Sequence, residues 1–218
     1  MSLEQKIKAN IREDGAISFS EFMKFALYDE TEGFYSHGGA GRKKDFITSP
    51  EVGPLFGKII SRAIDECWIE FGKPSHFTFL ECGAGSGTLA KSILRSKMQC
   101  KGALKYIAVE SSSQQIQTHP AAVQTLSSMP NEIEVGIIFA NELLDNLPFD
   151  IFESQNDGSW LEVKITVDDE NISEILIPNN EKAPPYKLET PNVRVPVQGE
   201  AQKWLKDALE ILHNGKII

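Results

Sequence analysis

Residues 79–89 have the sequence Phe-Leu-Glu-Cys-Gly-Ala-Gly-Ser-Gly-Thr-Leu. This pattern predicts a buried strand that ends in the acid Glu81, followed by a glycine turn and the start of a helix. Gly83, Gly85 and Gly87 have no Cβ, so the backbone can pass close to a bound molecule without a side chain intervening. The stretch therefore predicts a ligand-binding turn, and a tight turn without a ligand is the alternative.

The spacing of the glycines differs from that of dinucleotide-binding proteins. Their fingerprint is Gly-x-Gly-x-x-Gly, and started at Gly83 it would need its third glycine at Thr88. An acid at Glu81 would also repel a pyrophosphate in the same cleft. It suits a cationic ligand, and S-adenosylmethionine carries an amino group and a sulfonium. We therefore predict S-adenosylmethionine as the cofactor and regard a hydride-transferring dehydrogenase as the least favoured class.

Apolar strands alternate with helical segments over the middle of the chain. Residues 77–82, 105–110 and 134–141 have the composition of buried strands. Strands that alternate with helices predict parallel βαβ units and hence an α/β, Rossmann-like fold. No clear strand follows between residues 110 and 134, although residues 123–126 could supply a short one.

The flanking regions differ in character, and they suggest four segments. Residues 1–72 are predicted to form a helical region that covers the cofactor, and residues 73–148 the cofactor-binding core. Residues 149–198 contain short alternating strands and many prolines, which predicts a β-rich insertion on the substrate side. Residues 199–218 return to the core as a helix and the start of a strand. Because doubly wound sheets usually continue further, we expect the C-terminal strands of the fold to be missing.

Composition excludes several classes of function. The 218 residues suffice for one large domain, or for one domain with an insertion. A formal net charge of -9 argues against nucleic acid as the main partner. The three cysteines lack metal-ligand spacing, so no metal site is predicted. No apolar run is long enough for a membrane span, and residues 1–6 resemble neither a secretory nor a transit peptide, so a cytoplasmic location is expected.

A second acid follows the next strand along the chain. Glu110 comes 27 residues after Gly83. In doubly wound folds an acid at this place accepts hydrogen bonds from ribose hydroxyls. Glu110 is therefore predicted to bind the cofactor, and an ordinary carboxylate at the end of a strand is the alternative.

A polar segment follows the third strand. Asn141, Glu142 and Asp145 should face the cleft, because ligands bind beyond the carboxyl ends of such strands. Methyl transfer from a sulfonium requires mainly that the acceptor atom be held in line. Two carboxylates suit a guanidinium, whose planar donors pair well with them. We therefore predict these three residues as catalytic. The alternative is that Asn141 or Asp145 caps a helix.

Together these segments resemble the MidA family, the family of the mitochondrial complex I assembly methyltransferase. The resemblance rests on the glycine motif, on Asp-Phe-Ile-Thr-Ser-Pro-Glu at residues 45–51 and on Ala-Asn-Glu-Leu-Leu-Asp-Asn-Leu-Pro at residues 140–148. It implies a class I enzyme that uses S-adenosylmethionine to form symmetric dimethylarginine on a protein, with a respiratory complex I subunit as the partner. Members of the family are longer than this chain.

The resemblance also implies roles for residues near the N-terminus. Gly33, Phe34 and Tyr35 are expected to line the active cleft, and so is a loop that binds the cofactor through Thr48, Ser49 and Pro50. Two other functions stay open. One is a non-catalytic assembly factor that keeps the fold, and the other is a small-molecule N-methyltransferase. The sequence makes no prediction of the oligomeric state.

Overall fold

The structure, a computed structural model, describes residues 1–36 and 53–218. Their contacts group them into two units. The core unit comprises residues 53–146 and 204–218, and the other unit comprises residues 1–36 and 147–203.

The described residues form six α-helices and ten strands. The helices are α1 (Leu3–Asp14), α2 (Phe19–Tyr28), α3 (Pro54–Glu70), α4 (Thr88–Leu94), α5 (Ser113–Ile116) and α6 (Gly199–Ile211). A 3₁₀ turn spans Gln99–Gly102. The strands are β1 (Ile17–Ser18), β2 (Phe77–Cys82), β3 (Leu104–Val109), β4 (Gln124–Leu126), β5 (Ile133–Ala140), β6 (Asp150–Ser154), β7 (Trp160–Asp168), β8 (Asn171–Pro178), β9 (Arg194–Val197) and β10 (Leu212–Ile217).

The core unit is built on a five-stranded sheet in the order β10-β5-β2-β3-β4, in which all neighbouring strands are parallel. The Rossmann-like α/β fold expected from the sequence is thereby confirmed. The short strand suggested at residues 123–126 is present as β4.

Helices cover both faces of this sheet. Successive side chains of β2 point to opposite faces, so this strand contributes to the cores on both sides. Phe79 packs with Tyr106 and Phe139 in a cluster that also includes residues of α3 and α4. Leu80 belongs to a second cluster, which includes Ala208 of α6. A parallel sheet covered on both faces explains why its strands have nearly continuous apolar sequences.

Two glycines allow β5 to lie close to both of its neighbours, β2 and β10. Gly136 of β5 and Gly215 of β10 are register partners. A Cβ at Gly136 would overlap the carbonyl oxygen of Thr78, and a Cβ at Gly215 would overlap that of Gly136. The sheet therefore tolerates no side chain at either position.

The other unit contains an antiparallel sheet in the order β1-β7-β6-β9, with β8 paired to β7. The two N-terminal helices pack on this sheet. Ile7 and Ile11 of α1 form a buried cluster with Ile17 and with Ile165 of β7. Capping boxes start both helices, at Ser2 for α1 and at Ser18 for α2.

These contacts group the chain differently from the four predicted segments. Within residues 1–72, α1 and α2 pack on the strands of the β-rich region, whereas α3 packs on the core sheet. The reason is that the apolar faces of α1 and α3 meet different sheets. As functional domains, the four segments remain a prediction.

In the parts of the chain that the structure describes, no helix is long and apolar enough to cross a membrane. The same residues contain no group of metal-ligating side chains that could hold an ion. All three cysteines are buried and free.

Candidate functional site

The site is built at the carboxyl edge of the core sheet. In register, Cys82 of β2 lies beside Val109 of β3 and Ala140 of β5. The residues that follow these three strand ends, at positions 83, 110 and 141, therefore leave the sheet at the same level. The glycine motif, the second acid and the polar segment are thus brought to one edge.

This edge is also the place where the order of strands reverses. The chain moves outward from β2 through β3 to β4, and then returns to form β5 on the other side of β2. Loops on the two sides of such a point diverge and leave a crevice, which is where open α/β sheets bind ligands.

The backbone of the glycine loop has a conformation that is unfavourable for residues with a Cβ. Gly83, Gly85 and Gly87 have φ angles of 71°, 54° and 69°, all in the left-handed region. The N–H groups of Gly83 and Ala84 both donate to the carbonyl oxygen of Val109, at 3.0 and 3.1 Å. The loop is therefore fixed to the end of β3, and its glycines are required by conformation.

The carboxylate of Glu110 anchors this loop. Its Oε2 accepts the N–H of Gly85 at 2.8 Å, and its Oε1 accepts the N–H of Ser112 at 2.8 Å. Each carboxylate oxygen can accept a second hydrogen bond. Glu110 is consequently held in one orientation while it keeps acceptor capacity for a hydroxyl group.

Glu81 lies beneath the loop, in the core. It is 5% exposed, and its Oε2 accepts the hydroxyl of Tyr106 at 2.6 Å. Burial raises the pKa of Glu81 to about 7, the Tyr106 hydroxyl works against this rise, and the negative charge of Glu110 adds to it. Burial also raises the pKa of Tyr106 well above its ordinary value. The protonated and the charged form of Glu81 are therefore both populated near neutral pH.

Two residues that the sequence did not single out hold the other side of the loop. His119 lies with Nε2 at 2.7 Å from the carbonyl oxygen of Gly85 and Nδ1 at 2.9 Å from the hydroxyl of Thr125. Thr118 donates its hydroxyl to the carbonyl oxygen of Ser86 at 2.8 Å. No local motif could have indicated them, because their role depends on a loop more than thirty residues away.

The polar segment forms a turn that rests on the glycine loop. The side-chain amide of Asn141 donates to Oε1 of Glu142 over 3.4 Å, and Glu142 has a φ of 54°. A Cβ at Gly83 would lie 3.2 Å from Cδ1 of Leu143, so the turn and the loop are in contact. Asp145 is exposed in the same turn. No helix starts in this segment, which rules out the helix-cap alternative for Asn141 and Asp145.

Two further groups of predicted residues come from the N-terminal part of the sequence. Thr48, Ser49 and Pro50 lie outside the residues that the structure describes. Gly33, Phe34 and Tyr35 belong to the other unit, where the N–H groups of Phe34 and Tyr35 donate to carbonyl oxygens of α2 at 3.0 Å. Their predicted place at the active cleft remains a prediction.

The residues present at the edge fit S-adenosylmethionine. The left-handed glycines expose backbone rather than side chains, and Glu110 offers acceptors suited to ribose hydroxyls. There is no cluster of cations on the loop itself that would indicate a pyrophosphate, since its side chains are Ala84 and Ser86. The loop also begins α4 at Thr88, where the dinucleotide fingerprint requires its third glycine.

Comparison with known proteins places the chain in a family. Residues 59–218 match the model of a family described as "Putative S-adenosyl-L-methionine-dependent methyltransferase". The chain belongs to this methyltransferase family. The predicted cofactor is the one that the description of the family names.

Relatives of the chain include proteins named as mitochondrial arginine methyltransferases. The chain is 37% identical over 95 residues to the protein arginine methyltransferase NDUFAF7 homolog of Drosophila melanogaster, covering 43% of this chain and 22% of the relative. It is 28% identical over 192 residues to human NDUFAF7, covering 72% of this chain and 43% of the relative. The family match and these relatives confirm the resemblance to the MidA family. The chain spans less than half the length of these relatives.

A solved structure shares the fold. It is a crystal structure from Burkholderia thailandensis with S-adenosyl-homocysteine bound, 23% identical, with a TM-score of 0.77. The match covers 96% of this chain and 59% of that chain. The likeness therefore extends over both units described above.

One expectation is corrected by these comparisons. The cytoplasmic location inferred from residues 1–6 is contradicted, because the similar proteins are named as mitochondrial. The inference rested on the lack of a targeting pattern and on no positive signal, and it is withdrawn.

Proposed function

We propose that this chain forms the cofactor-binding part of an S-adenosylmethionine-dependent protein arginine N-methyltransferase. One observation carries the proposal: the Glu110 carboxylate holds the N–H of Gly85 in a loop of three left-handed glycines at the reversal point of the sheet. The family membership and the names of the relatives support the reaction class.

The glycine loop and Glu110 would hold the cofactor. Glu110 accepts ribose hydroxyls with the acceptor sites that the N–H groups of Gly85 and Ser112 leave open. Glu81, beneath the loop, supplies negative charge that favours a cationic ligand once its proton is lost. Thr48, Ser49 and Pro50 are proposed as further cofactor contacts on the resemblance to the MidA family.

The turn after β5 would hold the substrate. When bound, S-adenosylmethionine supplies an electrophilic methyl group on a sulfonium. Glu142 and Asp145 present carboxylates to the planar guanidinium of an arginine, and Asn141 offers an amide oxygen. These contacts orient one nitrogen toward the methyl carbon, which is the main requirement of an in-line transfer. A carboxylate of the turn, or water, receives the proton that this nitrogen releases.

The proposed substrate is an arginine on a protein. The relatives named as protein arginine methyltransferases support this class. A respiratory complex I subunit is the protein that the resemblance to the MidA family implies, with symmetric dimethylarginine as the product, and we keep both as parts of the proposal.

Calorimetric titration with S-adenosylmethionine tests the proposal, with NAD as the control ligand. Saturable binding of S-adenosylmethionine alone, lost in Glu110→Ala, is the expected result. The proposal would be contradicted if NAD binds. It would also be contradicted if the chain is folded and binds neither ligand. Transfer of isotope-labelled methyl groups to an arginine-containing peptide then tests catalysis. Cofactor binding without any transfer would favour the assembly factor, and transfer to free small amines alone would favour the small-molecule enzyme.

A further inference from the structure

A groove of about 850 Å³ lies between α3 and α4 in the core unit. Its lining carries five cationic side chains: Lys58, Arg62, Lys91, Arg95 and Lys97. The helices approach each other closely beside it, because a Cβ at Gly57 would overlap the side chain of Ser92. The groove is therefore a fixed feature of the packing of the two helices.

A single carboxylate belongs to the described lining of the groove, and it is turned into the fold. Asp65 is 9% exposed, and its two oxygens accept the N–H groups of Gln99 and Cys100, each at 2.9 Å. Burial alone would raise the pKa of Asp65, but these two hydrogen bonds outweigh it and leave the pKa below its ordinary value. Asp65 thus anchors the 3₁₀ turn, and its oxygens are not directed at the lysines and arginines.

The cations of the groove are poorly neutralised. Lys58, Arg95 and Lys97 form no ion pair with any described carboxylate. Arg62 pairs with Glu66 at 3.1 Å, but both side chains are mostly exposed, and such pairs contribute little. Lys91 donates to the carbonyl oxygen of Ser86. In a chain with a net charge of -9, this groove is a local concentration of positive charge.

Apolar side chains lie beside these cations on α3. Leu55 is 68% exposed and Ile59 is 56% exposed, and they are one helical turn apart. Lys58 and Arg62 share this side of the helix, since residues three and four apart are neighbours. Arginine and adjacent exposed apolar groups are typical of surfaces that bind proteins.

We propose that this groove, with Leu55 and Ile59 at its side, binds an acidic, amphipathic segment of a partner protein. Carboxylates of the partner would pair with Arg95 and Lys97, and its apolar side chains would cover Leu55 and Ile59. A nucleic acid is disfavoured because the net charge of the chain would repel it and because phosphates leave the two apolar side chains uncovered. The surface runs along α3 and α4 and meets the glycine loop only at its Thr88 and Lys91 end, and its occupant is a partner protein, so the inference goes beyond the proposed function.

The test uses a labelled helical peptide whose sequence repeats glutamate and leucine at helical spacing, with fluorescence anisotropy as the readout. The groove variant is Lys58→Glu with Arg95→Glu. The control is Lys101→Glu with Lys105→Glu, which makes the same change of charge at exposed residues outside the groove. Melting curves show whether both variants remain folded.

We expect saturable binding that weakens with salt and falls roughly tenfold or more in the groove variant, with less than about a twofold change in the control. Leu55→Ser with Ile59→Ser should weaken binding of the same peptide without altering the charge of the protein. Equal losses in groove and control variants would overturn the proposal. It would also be overturned by absent binding, or by equal affinity for polyglutamate or for a single-stranded oligonucleotide.

Discussion

The hydroxyl of Tyr106 lies 2.6 Å from Oε2 of Glu81, and both side chains are buried in the core directly beneath the glycine loop. The pair joins β2 to β3 at the level of the proposed cofactor site. Removing the Tyr106 hydroxyl would leave the buried carboxyl group of Glu81 without this donor. Such a loss is costly, because the buried oxygen can no longer exchange its lost hydration for a hydrogen bond within the protein.

Tyr106→Phe should therefore weaken both the fold and the site. Without the hydroxyl, the pKa of Glu81 rises further, and the charged form that suits a cationic ligand becomes less populated. We expect a loss of about 1–3 kcal/mol in the free energy of unfolding and weaker binding of S-adenosylmethionine. Urea titration and calorimetry measure the two effects. Unchanged values in both would show that the hydrogen bond is unimportant.

The pH dependence of stability gives a second test of Glu81. Its pKa is about 7 in the folded chain against an ordinary value of 4.5. The folded state therefore keeps the proton of Glu81 to a higher pH than the unfolded state does. The resulting contribution of Glu81 to the free energy of unfolding is complete below pH 4.5 and is lost as the pH rises through 7.

Glu81→Gln keeps the neutral form at every pH. We expect it to match the native chain at about pH 5 and to exceed it by up to ~3 kcal/mol at about pH 8 in the free energy of unfolding. Denaturant midpoints at the two pH values provide the measurement. A difference that is the same at both would mean that Glu81 titrates normally.

Glu110→Ala removes the acceptor for the N–H groups of Gly85 and Ser112. The variant should bind S-adenosylmethionine more weakly by ~1–3 kcal/mol, or roughly 5- to 150-fold, since the loop and the ribose hydroxyls lose their partner. Glu132→Ala, at an exposed acid of the same unit, is the matched control. Native affinity in Glu110→Ala would remove this residue from the cofactor site.

His119→Phe tests the loop from its other side. The variant cannot bond the carbonyl oxygen of Gly85 or the hydroxyl of Thr125, so we expect cofactor affinity to fall by about 1–2 kcal/mol. His119→Gln, which retains a donor, should recover part of that loss, and His76→Phe at an exposed histidine should have no effect. If the His119 variants melt at the same temperature as the native chain but bind the cofactor more weakly, His119 positions the loop and does not merely stabilise the fold. A positioning role fails if His119→Gln and His119→Phe lose affinity equally.

Gly136→Ala should disrupt the core sheet itself. The new methyl group would collide with the backbone of β2 at Thr78, and backbone cannot move aside as a side chain can. We expect a loss of about 3 kcal/mol or more in the free energy of unfolding. At Gly102 the added methyl group would meet nothing within 4 Å, so Gly102→Ala serves as the control. Comparable denaturant midpoints for the two variants would contradict the close approach.

Much of the core was predictable because its signals are local. The apolar run at residues 77–82 gave β2 with its observed bounds, and the strands at 105–110 and 134–141 were placed within one residue. Glycine spacing and strand-terminal acids predicted which residues meet at the candidate site, since parallel strands bring their carboxyl ends to one edge.

Other elements depend on distant partners and escaped prediction. β9 contains Pro196, which argues against a strand, yet it lies at the edge of its sheet, where a proline is tolerated. The roles of Tyr106 and His119 arise only when β3 and the segment before β4 pack beside the glycine loop. No spacing in the sequence encodes such contacts.

The pairing of Ile17 with Ile165 has a consequence for biosynthesis. The apolar faces of α1 and α2 are synthesised before the strands on which they pack, which are translated only after the whole stretch up to β5. Such late closure of a long loop slows folding and leaves apolar surface uncovered in the meantime. During synthesis α1 and α2 therefore expose apolar surface of the kind that chaperones bind until β7 has been made.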